Sequence, residues 1–286
     1  MPKRINKAID LLEQGQPIYY VGVSELSYET GRDMAGTWAD YINVSIEHGP
    51  FDMPGLGAFM RGLVDGGPTA SGHRTPAVIV DLPVEGTSEA AVRANAWMFK
   101  QALARGVHGI LLCHAEDPEG VRAFVESCRY PFRKPAEGHG DGRRGAGGQG
   151  WAAQIWGVSA AEYLKKADPW PLSPDGELML GVKIENKRAL ANAEATARVQ
   201  GLAFGEWGPG DMGMSLGHAD RHDPPYPPEM GAARARVMAA CLDAGLFFLN
   251  GANVENITEM IDEGVMICSG GGEAVAQAGR AYTGRE

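Results

Sequence analysis

The chain lacks most features that mark an extracellular, membrane-bound or nucleic-acid-binding protein. Its 286 residues hold four cysteines, Cys113, Cys128, Cys241 and Cys268, with no CxxC pair. That spacing, with no secretory leader before it, excludes a disulfide framework. It points to reduced thiols packed as small hydrophobes in a cytoplasmic protein. No apolar run approaches the ~20 residues of a membrane-spanning helix. The opening stretch MPKRINKAIDLLEQGQ has no apolar core after its basic start and reads as an amphipathic helix. Basic charge is in deficit too, 26 Lys and Arg against 36 Asp and Glu for a net charge of −10. A nucleic acid or an anionic membrane is therefore excluded as a partner. No GxGxxG follows the first strand-like run, which removes the signature of a dinucleotide-binding open sheet.

What the chain does have is rhythm. Apolar, β-branched runs recur at 17–23, 41–46, 77–82, 109–113, 178–184, 202–204, 246–249 and 265–268. Most are separated by helical patterns, at 28–39, 54–63, 88–104, 118–128, 188–199, 228–244 and 254–263, after an opening helix at 5–13. Continuous apolar strands alternating with helices indicate a parallel sheet covered on both faces. Eight such units predict one (β/α)8 TIM barrel domain over residues 1–286, with a doubly wound open sheet as the runner-up. One stretch breaks the pattern. Residues 131–177 form a long insert between the fourth and fifth strand runs, Gly-rich at 138–150 and carrying Trp151, Trp156 and Trp170. Its length and tryptophans predict an active-site cover or a subunit contact.

The chemistry collects at strand ends, where barrel enzymes assemble their sites. The second run breaks into Glu47-His48-Gly49-Pro50, a carboxylate and an imidazole at a strand tip. Glu185 ends the fifth run, and Asp211 follows the sixth in GEWGPGDMGMSLG. Two carboxylates from adjacent strands, completed by water and a substrate oxygen, suit a hard divalent cation. His48 adds an imidazole able to move protons near neutral pH.

These residues also resemble a family. Ile46-Glu47-His48-Gly49-Pro50, Arg129-Tyr130-Pro131, Gly142-Arg143-Arg144-Gly145, Val182-Lys183-Ile184-Glu185 and Gly208-Pro209-Gly210-Asp211 occur in the order and spacing of the HpcH/HpaI class II pyruvate aldolases. The likeness covers nearly the whole chain. It implies a divalent metal (Mg²⁺, Mn²⁺ or Co²⁺) on Glu185 and Asp211, chelating the keto and carboxylate oxygens of a pyruvate unit. It implies His48 as the proton carrier with Glu47 in support, and a substrate carboxylate held by the amides of Gly210 and Asp211 beside Trp207, Gly208 and Pro209. It also implies a homo-oligomer, hexamer or trimer, with the C-terminal segment 272–279 exchanged between subunits.

The departures from that pattern matter as well. Ser45 stands where the family has an aspartate, Ile79 where it has an enolate-stabilising arginine, and Lys183 where it has a glutamine. Cys113-His114 places a further imidazole, a candidate acid–base group, at the end of the fourth strand. Arg144 is a candidate anchor for the cover loop or for a substrate carboxylate, or an interface ion pair. The leading expectation is a metal-dependent carbon–carbon lyase acting on a 2-oxo acid and an aldehyde. Trp151, Trp156 and Trp207 point to a bulky or aromatic aldehyde. The alternative keeps barrel and metal but performs hydrolysis, decarboxylation or another lyase reaction, with Ile79, Lys183 and His114 as its support.

Overall fold

The computed structural model describes residues 2–220 and 223–285. Nine strands run along the described residues: β1 (Ile18–Val23), β2 (Tyr41–Ser45), β3 (Ala77–Glu85), β4 (Gly109–Cys113), β5 (Pro169–Trp170), β6 (Leu178–Lys183), β7 (Phe204–Glu206), β8 (Phe247–Gly251) and β9 (Val265–Ser269). Every pairing is parallel, in the order β4-β3-β2-β1-β9-β8-β7-β6, and β4 pairs with β6 to close the ring. Eight strands thus make the (β/α)8 barrel, and the two-residue β5 adds only to the start of β6. All eight apolar runs correspond to barrel strands.

Period-2 alternation sorts the side chains. Ile18, Tyr41, Ile79, Leu111, Met179, Phe204, Leu249 and Ile267 fill the interior, with Ala8, Ile9 and Leu12 of the N-terminal helix Lys7–Glu13 packed among them. That helix plugs the N-terminal end and leaves the C-terminal end of the barrel as the mouth. The complementary set, including Ile42, Val78, Val80, Ile110, Val182 and Phe248, faces the surrounding helices. The helix expected at 188–199 is two short pieces, Lys187–Ala191 and Ala193–Ala197. All four cysteines are free and buried. No helix among the described residues is long and apolar enough to cross a membrane.

The insert does not cover the active site, one of the two roles expected of it. It follows the helix Pro118–Cys128 and leads into β6, so it is a helix-to-strand connection. In a barrel such connections run at the N-terminal end, away from the mouth. Its helices Gln149–Trp156 and Ala160–Lys166 pack on the flank. The Trp156 indole donates to the carbonyl of Gly106 (2.8 Å) and stacks on His108, just ahead of β4. Trp170 stacks on Phe247 at the start of β8, and Trp151 lies under the Arg61 guanidinium. These tryptophans cover the flank and base, not the active site.

The C-terminal helix Gly272–Tyr282, assigned by the resemblance to a neighbouring subunit, lies here on its own barrel. Arg280 donates to the carbonyl of Trp38 (2.7 Å) and to Asp40 (3.1 Å). A Cβ on Gly279 would fall 1.9 Å from the Tyr19 hydroxyl, so only glycine allows this approach.

Candidate active site

The turns after β2, β4 and β6 bring Glu47, His114 and Glu185 to the mouth, with their ligand-type atoms all within 4.8 Å of one another. His114 is the one non-glycine residue with positive φ (46°) among the described residues. This backbone is uncommon for a side chain with a Cβ and marks stored strain of the kind found at functional sites. Here it aims the His114 amide at Glu185 Oε1 (2.9 Å). The other oxygen, Oε2, lies against the next loop, where a Cβ on Gly208 would fall 2.6 Å from it. Glu185 is therefore held between the β4 turn and the β7 loop. Gly208→Ala should displace its carboxylate and lower metal affinity by ~10–100-fold, as loss of an orienting neighbour does. Mn²⁺ titration followed by EPR reads this directly, and unchanged affinity would show that Gly208 does not set the carboxylate's position.

Lys183, from the end of β6, supplies the cation. Its Nζ donates to Glu47 (2.7 Å) and lies 3.6 Å from Asp81. Burial works against the ammonium, but Glu206, Cys113, Glu185 and Asp81 hold its pKa above that of an ordinary lysine. Burial raises Glu47 as well, yet Lys183, the Cys113 thiol and His48 outweigh it and keep its carboxyl below the usual range. Burial pushes Glu185 up against the opposing pull of Lys183.

The two histidines differ. Asn186 Oδ1 accepts from the amides of Arg188 and Ala189 (both 3.0 Å), which fixes its amide orientation. Its NH₂ therefore points at His114 Nδ1 (3.2 Å), leaving the ring proton on Nε2, which faces Glu47 across 3.8 Å. His48 stands at the rim, with its side chain 75% exposed and Nε2 3.7 Å from the other oxygen of Glu47. Glu47 thus stands between a half-buried imidazole and a solvent-facing one.

The other expected residues fall differently. Asp211 sits half-buried on the first turn of the helix Pro209–Leu216, beyond Gly208 and outside the 4.8 Å group. Trp207 is buried beside it and Pro209 opens that helix. Ile79 faces the interior one tier below Asp81, so the β3 residue that reaches the site is Asp81, a carboxylate where the resemblance implies an arginine. Arg144 is not part of the site. It is buried, donates to the Tyr163 hydroxyl (2.6 Å), and lies over the Tyr130 ring. The Arg129-Tyr130-Pro131 and Gly142-Arg143-Arg144-Gly145 motifs anchor the helix-to-strand connection, where Arg129 also clamps buried Asp168 (2.9 and 3.0 Å).

Sequence reading missed Asp81 and Glu206. Asp81 shares the inward parity of Ile79, a period-2 signal that was available. Glu206 ends β7 opposite Lys183 in the register. Its burial, with Glu185, Asp81 and Glu47 nearby, pushes its carboxyl up to about 7 despite Lys183. A raised folded-state pKa favours folding fully below the unfolded pKa, and that contribution fades as pH rises through the folded value. Relative to Glu206→Gln, metal-free protein should therefore lose stability between pH ~4.5 and ~7 and level off above. Carboxyl-carbon NMR should show a Glu206 midpoint near 7, and a midpoint in the ordinary glutamate range would contradict this electrostatic picture.

A family model described as HpcH/HpaI aldolase/citrate lyase matches residues 75–276. A hydroxypyruvate/pyruvate aldolase from Roseobacter denitrificans is 27% identical over 218 residues, 76% of this chain and 72% of its own length. Another from Delftia acidovorans is 26% identical over 208 residues, 73% of this chain and 65% of that protein. A solved HpcH/HpaI aldolase/citrate lyase family protein from Burkholderia cenocepacia superposes with a TM-score of 0.73 at 22% identity, covering 97% of this chain and 96% of that one.

Proposed function

Because the chain belongs to the HpcH/HpaI aldolase/citrate lyase family, we propose that it is a divalent-metal-dependent lyase that makes or breaks an aldol bond beside a 2-oxo acid such as pyruvate. The observation that carries this reading is the Glu47, His114 and Glu185 group, whose ligand atoms lie within 4.8 Å at the mouth. The two carboxylates of this group, Glu47 and Glu185, are oxygen donors of the kind that suits Mg²⁺ or Mn²⁺, so the residues fit the ion. Glu185 would hold it, with Asp211 joining from the adjacent helix start. When bound, the ion supplies Lewis-acid stabilisation of the enolate charge that develops as the carbon–carbon bond breaks.

The chain's own groups do the rest. Lys183 places a fixed positive charge among the carboxylates and keeps Glu47 ionised. Glu47 takes the proton from the aldol hydroxyl side, and the exposed His48 exchanges it with water. His114 faces Glu47 across 3.8 Å, and the Lys183 ammonium, 2.7 Å from Glu47, holds that carboxylate in place. The amides of Gly210 and Asp211, at the start of the helix Pro209–Leu216, offer the substrate carboxylate a site with N–H groups and a favourable dipole. We include a homo-oligomer in this reading, because Phe51 and Trp97 pair edge-to-face at the surface while 37% and 49% exposed. Light scattering reports its size.

The test is pyruvate release from a 4-hydroxy-2-oxo acid, followed through lactate dehydrogenase. Release should require Mg²⁺ or Mn²⁺ and stop with EDTA. Metal-independent release, or none from any chain length, would overturn the reading.

A further inference from the structure

The His114 ring stands in the mouth with one nitrogen used and the other without a partner. Nδ1 lies 3.2 Å from Asn186 Nδ2, which can only donate, so Nδ1 accepts and the ring hydrogen sits on Nε2. Glu185 Oε1, 3.6 Å from Nδ1, is too far to accept a hydrogen there. The oxygen that Nε2 faces, Glu47 Oε1, is 3.8 Å away, again beyond hydrogen-bond reach. The Nε2–H is thus held toward a gap that no described residue fills.

A clamp behind the ring fixes this state. The Asn186 NH₂ is shared between His114 and Glu116 Oε1 (2.9 Å), while its Oδ1 caps the helix Lys187–Ala191. Glu116 is buried, and the Arg188 guanidinium grips it through Nε (2.6 Å) and Nη2 (2.8 Å). Its backbone is tied down as well. The Glu116 amide donates to the carbonyls of His114 (2.7 Å) and Gly86 (3.0 Å), and its carbonyl accepts from Asn192 (2.7 Å). Turning the Asn186 oxygen toward Nδ1 would break the contact with Glu116 and the helix cap together.

A metal or an incoming proton needs a nitrogen lone pair. The Nδ1 pair is taken by Asn186 and Nε2 carries the hydrogen, so the ring offers neither. What remains is donation. The gap between Nε2 and Glu47 Oε1 suits a ligand oxygen that accepts from one side and gives a proton to the other. We infer that His114 is a catalytic hydrogen-bond donor, not a metal ligand or a base, and that Asn186, Glu116 and Arg188 are positioning residues that keep it so. The identity of the oxygen, the aldol hydroxyl, rests on the aldol reading of the mouth. As its proton passes to Glu47, the carbon–carbon bond opens, its electron pair becomes the enolate, and the oxygen becomes the aldehyde carbonyl. The Nε2–H stays on that oxygen while it carries negative charge.

Histidine nitrogen NMR of the metal-free protein tests the donor apart from turnover. In wild type, His114 should show a protonated Nε2 and a bare Nδ1. Asn186→Asp, which puts an acceptor where the NH₂ stands, should move the hydrogen to Nδ1. His114→Gln keeps an N–H donor but cannot take up a proton, and His114→Leu keeps neither property. Pyruvate release should fall by ~3–10-fold in the first and by ~10²–10³-fold in the second. Mn²⁺ affinity, read by EPR, should change by less than ~10-fold in both, below the loss of even an outer neighbour of a metal. A bare Nε2 in wild type, release lost as fully in His114→Gln as in His114→Leu, or Mn²⁺ affinity weakened by more than ~10-fold would overturn the inference. If wild type releases no pyruvate, the aldol reading fails, while the nitrogen spectrum and the Mn²⁺ affinities still decide whether His114 is a donor or a ligand.

Discussion

Glu185→Gln should lower metal-dependent pyruvate release by at least ~10³-fold, the scale expected when Lewis-acid charge stabilisation worth several kcal/mol is lost. The substitution keeps the shape of the side chain, and its amide oxygen can still accept from the His114 N–H that fixes Oε1 at 2.9 Å. What disappears is the negative charge. The fold should survive, because burial already raises Glu185 and works against its ionised form. Urea denaturation should place the variant within ~1 kcal/mol of wild type, since removing a buried charge that is only partly compensated is often neutral or stabilising. Steady-state kinetics with Mn²⁺ beside that denaturation curve separates the two effects. Activity within ten-fold of wild type would remove Glu185 from the centre of the site.

Lys183→Met should have the largest effect on stability, a loss of ~3–5 kcal/mol, the usual cost of removing one partner from a buried ion pair. The ammonium, 14% exposed, lies 2.7 Å from Glu47 and 3.6 Å from Asp81, and two more carboxylates, Glu185 and Glu206, act on it. Without it these groups would face one another across the mouth. Their pKa values would then rise above the unfolded ones. A raised carboxyl pKa favours folding at low pH and loses that advantage as pH rises. The deficit should accordingly be largest near pH 8 and shrink toward pH 5, which guanidinium denaturation at the two values would show. A deficit below ~1 kcal/mol at pH 8 would mean that the mouth does not depend on this charge.

The barrel was legible because its strands are β-branched runs bounded by polar or glycine residues, and helices such as Pro118–Cys128 carry matching start signals. Glu47, Glu185 and Lys183 were legible because each sits at a strand end, where a charged residue after an apolar run stands out. Asp81 stood out less, since it lies in the middle of β3 and not at its end, and only its period-2 parity with Ile79 shows that it points inward. The role of Arg144 failed for a topological reason. A long insert suggests a lid, but the lids of a barrel follow strands, and this insert follows a helix. The division between His48 and His114 was not available in sequence at all. It depends on Asn186 turning its NH₂ toward one ring and on how much water reaches the other.

Hydrogen–deuterium exchange at the pyruvate methyl group tests the central claim most directly, because it reads enolate formation without any aldehyde. In D₂O with Mg²⁺ or Mn²⁺, wild-type protein should exchange the methyl protons, and EDTA or Glu185→Gln should stop it. Exchange that persists in EDTA, or tight metal binding with no exchange at all, would contradict the account.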